Sequence, residues 1–145
     1  MKTRTVLAAV ALTFLAATAF AGLTQPAPVM IDFDNLFAQG DQLTARTADD
    51  EATFIGCGVR NFDDGVISWK TGFCQAGTSE EVQITCFTEN ASLIDSMSSI
   101  SDFAFITFSW RDDGFGGAEC VRVGSSTQSF YLLDFTTNKK KKAKK

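Results

Sequence analysis

Histidine is absent from all 145 residues, and its absence excludes whole classes of chemistry. Ser-His-Asp and Cys-His nucleophilic systems are impossible, as is every histidine-ligated metal centre, and the ordinary neutral-pH proton carrier is missing. Apolar runs long enough to span a bilayer are also lacking after Phe20. Basic side chains are scarce through the middle of the chain: residues 22–138 carry five against seventeen acidic ones, a net of −12. Polar aromatics are few. Fourteen of the seventeen aromatic residues are phenylalanine, which has no polar handle and suits a core better than a recognition surface.

The first residues read as an export signal. Lys2 and Arg4 precede the uncharged stretch 6–20, and Ala19-Phe20-Ala21 supplies the small-x-small pattern that export peptidases cut, placing cleavage before Gly22. The expected destination is the periplasm or the exterior of the cell, and the short alanine-rich signal is bacterial in style. The mature chain then has no membrane-spanning segment.

Four cysteines in a short exported chain predict a disulfide framework. Zinc sites draw on closely spaced pairs such as C-x2-C; here sixteen, eleven and thirty-three residues separate successive cysteines. Three pairings are open. A hairpin over residues 54–74 favours Cys57–Cys74 with Cys86–Cys120, on condition that a bulge at Gly72 corrects the register, since Cys57 and Cys74 otherwise differ in facing.

The remaining pattern predicts an α+β domain with a mostly antiparallel sheet of about six short strands in the order β-β-β-α-β-β-β. Residues 22–52, which hold both prolines and the acidic string Asp49-Asp50-Glu51, read as a partly ordered acidic arm; its apolar island at 29–33 suits an edge strand, and 35–44 a helical turn. The globular part is expected over 53–137. Strands fall at 54–61 and 66–74 around the hairpin signal Asp64-Gly65, with Ile67, Trp69, Thr71 and Phe73 on the inward face. Others fall at 82–86, 104–110, 120–123 and 129–135. Asn90 is a good N-cap for a short helix near 91–101, whose Leu93, Ile94, Met97 and Ile100 share a face.

Candidate sites follow from what remains. Asp63 and Asp64, and again Asp112 and Asp113, precede glycines and read first as hairpin turns; the alternative is a calcium loop, although neither stretch has the full spacing. Glu119 stands close enough in sequence to join Asp112 and Asp113. Phe115, between glycines, is either a contact residue or a ring folded onto the sheet. Ser68 and Lys70 flank Trp69 as a conceivable Ser-Lys dyad, which would need a desolvated lysine. No metal or cofactor is expected. The tail Lys139, Lys140, Lys141, Lys142, Lys144 and Lys145 offers contact with an anionic surface, or with the chain's own acidic body. The favoured reading is a non-enzymatic binding or inhibitor-type module whose acidic body, with exposed binding loops at Asp63–Gly65 and Arg111–Gly117, meets a basic protein. A carboxylate-dependent hydrolase and an envelope or matrix protein tethered by its lysines are the alternatives.

Overall fold

The computed structural model describes residues 22–133. The expected signal segment 1–21 and the lysines at 139–145 lie outside them. Seven strands, β1 (Met30–Asp32), β2 (Phe37–Asp41), β3 (Phe54–Asp63), β4 (Ser68–Gly77), β5 (Gln83–Thr88), β6 (Phe105–Asp112) and β7 (Ala118–Ser126), form one sheet. Helix α1 (Gln42–Arg46) follows β2, and α2 (Ala91–Ser98) links β5 to β6. The spatial order is β1-β2-β6-β7-β5-β4-β3. Every pairing is antiparallel except β5 with β7, which run parallel and meet through one pair, Phe87 and Glu119. The fold is therefore α+β with a mixed sheet of seven strands, one more than expected and not wholly antiparallel.

The hairpin β3–β4 forms where Asp64-Gly65 places it. Gly65 adopts φ +84°, the left-handed region open to glycine without a Cβ clash. The Asp63 carboxylate accepts from the Gly65 N–H (2.9 Å), and that of Asp64 from Val66 (2.9 Å) and Ile67 (2.8 Å). The Asn90 side chain caps α2 by accepting from Ser92 and Leu93, and α2 buries Ile94 and Met97. It ends at Ser98, short of the expected 101.

Residues 22–52, expected to be a partly ordered arm, supply three elements, β1, β2 and α1. β2 pairs with the interior strand β6 along five residues, Phe37 opposite Ser109 through Asp41 opposite Phe105, and β1 is the edge strand beyond it. Sequence concealed this because the inward positions of β2 are Ala38 and Gly40, small residues without a hydrophobic stripe. At Gly40 the chain passes directly over the strand: a Cβ there would stand 2.9 Å from the Val29 Cα. The helical turn expected at 35–44 falls instead at Gln42–Arg46. The strand expected at 129–135 is a 3-10 turn, Ser129–Tyr131, within the described residues.

The inward face of β4 is the opposite of the one expected. Gly72, Cys74 and Ala76 are buried there, while Trp69 is 48 % exposed. Helix α2 lies so close that a Cβ at Gly72 would meet the Met97 Sδ at 2.5 Å and the Ile94 Cγ1 at 3.2 Å. Only small side chains fit beneath it, and the aromatic residues are turned outward. With that facing, Cys57 and Cys74 stand directly opposite each other in an unbroken ladder, so no bulge at Gly72 is needed. The bulge lies in β7. Ser109 pairs with Arg122 and Trp110 with Cys120, leaving Val121 unpaired. This extra residue brings Cys120 into line with Trp110 on the inner face, where it meets Cys86. The two disulfides are Cys57–Cys74 and Cys86–Cys120. The second closes the parallel seam, the thinnest join in the sheet. Ile106, Phe108 and Trp110 of β6 complete the core with Ile55, Ala38 and Met97.

Candidate functional site

The outer face of β3, β4 and β5 carries an aromatic band. Phe62 stacks on Trp69 with centroids 4.3 Å apart. Phe73 neighbours Phe87 across the β4–β5 pair at 6.4 Å. The Phe73 ring lies over Gly58, where a Cβ would stand 2.8 Å from its Cζ, so the glycine lets the ring lie close against the sheet. The Arg60 guanidinium sits 5.1 Å above the Phe73 centroid, a cation–π contact on an exposed surface.

The loop between β6 and β7 closes one end of this band. It is wound around one carboxylate: Asp113 accepts from the N–H of Phe115 (2.8 Å) and of Gly117 (2.9 Å), and its own N–H donates to the Gly117 carbonyl. Gly114 and Gly116 take φ +80° and +87°, which removes any steric objection to the tight path. The result is a braced platform that displays Phe115 with 96 % of its surface in solvent. The ring stands free of the sheet.

Between this platform and β5 runs a cleft of about 730 Å³, lined by Thr85, Phe87, Glu89, Asp113, Phe115 and Glu119 among others. Two phenylalanines and three carboxylates thus border one concavity. Glu119 is held by Arg111, whose Nε donates at 2.8 Å and whose Nη2 lies 2.7 Å from the same oxygen. The N–H groups of Phe115 and then Gly117 hold the Asp113 carboxyl below its ordinary 3.8. That direction suits a permanent anion and is wrong for a general acid, which needs a raised value.

Asp63 and Asp64 stand elsewhere. β3, β5 and β7 run in one direction, so the β3–β4 turn lies where β3 ends and the β6–β7 turn where β7 begins, at opposite ends of the sheet. The two candidate binding loops therefore lie apart. Beyond Gly72, which pairs with Thr88, β4 has no partner in β5, so the hairpin projects with Val66 and Ile67 at its tip. Ser68 and Lys70 are both exposed there, without the desolvation a Ser-Lys dyad requires. Asp112 accepts from Gly114 N–H (2.6 Å), which with the bonds above commits an oxygen of all four turn aspartates to local backbone.

Sequence reasoning missed Phe87, Glu89 and the outward aromatic residues. Phe87 was within reach, because Gln83 and Thr85 share its parity and face solvent. Glu89 carries no such signal; only the parallel placement of β7 beside β5 brings it to Asp113 and Glu119.

These carboxylates also set a test in acid. The pKa values of Asp64 and Asp113 are lowered by backbone N–H donors, from Ile67 then Val66 and from Phe115 then Gly117. A lowered folded-state value contributes stability that is present above the ordinary 3.8 and lost as pH falls below it through the folded values. Asp64→Asn with Asp113→Asn is therefore expected to melt below the parent at neutral pH, the gap closing in acid. A gap independent of pH would show that charge plays no part in these turns.

The fold and the cleft together define a small, disulfide-stapled α+β domain with an acidic, aromatic-rimmed groove on its outer face. Set against known protein families, curated proteins and solved structures, the chain matches none. Among the described residues no helix is long and apolar enough to cross a membrane.

Proposed function

We propose that this is an exported, non-enzymatic binding module that captures lysine and arginine side chains of a basic protein partner in the Phe87–Phe115 cleft, in the manner of an inhibitor. The observation that carries the reading is the joining of two exposed rings with Glu89, Asp113 and Glu119 in one concavity. A cation there meets ring faces and carboxylates at once. The neighbouring Phe73 ring already receives the chain's own Arg60. The acidic excess of the body adds long-range attraction, which speeds encounter and falls with salt.

Titration calorimetry with a cationic hydrolase such as lysozyme tests this. Phe115→Ala and Glu89→Gln are each expected to weaken binding about tenfold, the equivalent of ~1.4 kcal/mol, and salt to weaken the parent steeply. Binding that ignores both substitutions would place the contact elsewhere.

A carboxylate-dependent hydrolase is the second reading, favoured by the meeting of three carboxylates in a cleft. Asp113 is unsuited to be its acid, so Glu89 and Glu119 would have to divide the acid and base roles; loss of hydrolysis in Glu89→Gln would support it. Tethering to an envelope or matrix rests on lysines outside the described residues.

A further inference from the structure

We propose that the lysine-rich residues 139–145 occupy the Phe87–Phe115 cleft of their own chain and shield it from other cations, an inference that rests on reading the cleft as a cation-binding surface. Charge complementarity is the first ground. Six lysines stand together in a chain whose residues 22–138 have a net charge of −12, and the cleft gathers three of that body's carboxylates beside two exposed rings. Of the body's five cations, Arg111 is already held by Glu119 and Arg60 lies over Phe73.

Position is the second ground. The Tyr131 ring stacks on Phe105 at 5.8 Å, and the Phe130 carbonyl accepts from the Gln25 N–H at 3.3 Å. Phe105 alternates with the buried Ile106 and Phe108 and shares parity with Arg111, the cross-strand partner of Glu119. The chain therefore leaves the described structure on the face where the cleft opens. From Phe105 to Asp112 the strand covers roughly 23 Å at about 3.3 Å per residue. The lysines begin six residues beyond Leu133 and end twelve beyond it, a reach of roughly 20 to 40 Å for extended chain. That reach spans the length of β6 from Phe105 to Asp112. Tethering raises the local concentration of the lysines to the millimolar order, ample for a contact that is weak between separate molecules.

The test compares the oxidised parent with a full-length variant in which all six lysines become glutamine, both titrated with a hexalysine peptide at low salt. A tail that fills the cleft about nine-tenths of the time lowers apparent affinity about tenfold. The variant is therefore expected to bind hexalysine about tenfold more tightly than the parent. Its amide resonances at Phe87, Glu89 and residues 115–119 are expected to differ from the parent's and to move on adding the peptide. Equal affinity in the two proteins with those amides unchanged between them would overturn the proposal while leaving the cleft reading intact. If neither protein binds hexalysine, the cleft reading falls and the proposal with it.

Discussion

Replacing Cys86 and Cys120 together by alanine is expected to lower the unfolding free energy by about 4 kcal/mol, against about 3 kcal/mol for Cys57 and Cys74. The bridges span 34 and 17 residues, and the entropy that closure removes from the unfolded chain rises with the logarithm of that span. Native architecture widens the contrast. Cys57–Cys74 crosses a ladder in which ten residues of β3 face ten of β4, so the strands stay in register without it. Cys86–Cys120 crosses the seam that backbone pairing joins only at Phe87 and Glu119. Without it, β6, β7, β2 and β1 are held to the β3–β4–β5 half by that one pair, by packing and by α2. A total stability on the order of 5–15 kcal/mol is usual for a domain, so the loss is a large fraction. Urea unfolding of the two double variants measures the costs. Hydrogen exchange is expected to show amides of β5 and β7 opening below the global transition in Cys86→Ala/Cys120→Ala only. Equal costs and uniform exchange would mean that the seam is held by its side chains.

Legibility in the sequence followed how local the determining physics is. The Asp64-Gly65 turn, the Asn90 cap and the alternation through Ile84 and Cys86 are contests between near neighbours, and each element formed at its expected place. β2 was hidden because its identity depends on what passes over Gly40, a contact made by Val29 eleven residues away. The facing of β4 was misjudged for a related reason. Trp69 and Phe73 are the larger hydrophobic residues and claim the core on transfer energy alone, but α2 approaches Gly72 too closely for a ring to fit. Small residues mark where another element comes near, and the displaced aromatic residues become the surface. The candidate site was half legible. Asp113 and Phe115 stood out as a glycine-rich turn, but Glu89 and Phe87 reach them only through the parallel β5–β7 pairing, which no local pattern encodes.

Asp41 is the most consequential polar residue that sequence left unmarked, and Asp41→Ala is expected to cost about 3–4 kcal/mol. Its side chain is buried to 1 % exposure at the junction of β2 and α1. One carboxylate oxygen accepts from the Thr44 N–H at 2.7 Å, capping the helix; the other accepts from the Thr44 hydroxyl at 2.5 Å and the Ala27 N–H at 2.6 Å. The Asp41 N–H returns a bond to the Ala27 carbonyl at 2.8 Å, so one residue ties the entering chain, β2 and α1 together. Alanine removes the cap on the Thr44 N–H, worth about 1 kcal/mol, and strands the part-buried Ala27 N–H and Thr44 hydroxyl, each costing upward of about 1 kcal/mol without a partner. Asp41→Asn separates acceptor number from shape. Its single oxygen serves one of the two backbone donors, and its NH2 group is turned toward the other, so it is expected to lose about 2 kcal/mol despite near-identical volume. Thermal melts rank the three proteins, and exchange rates at the Ala27 and Thr44 amides report which anchor is lost. An Asp41→Asn variant as stable as the parent would show that a neutral acceptor suffices, and that the second carboxylate oxygen contributes nothing to holding the entering chain.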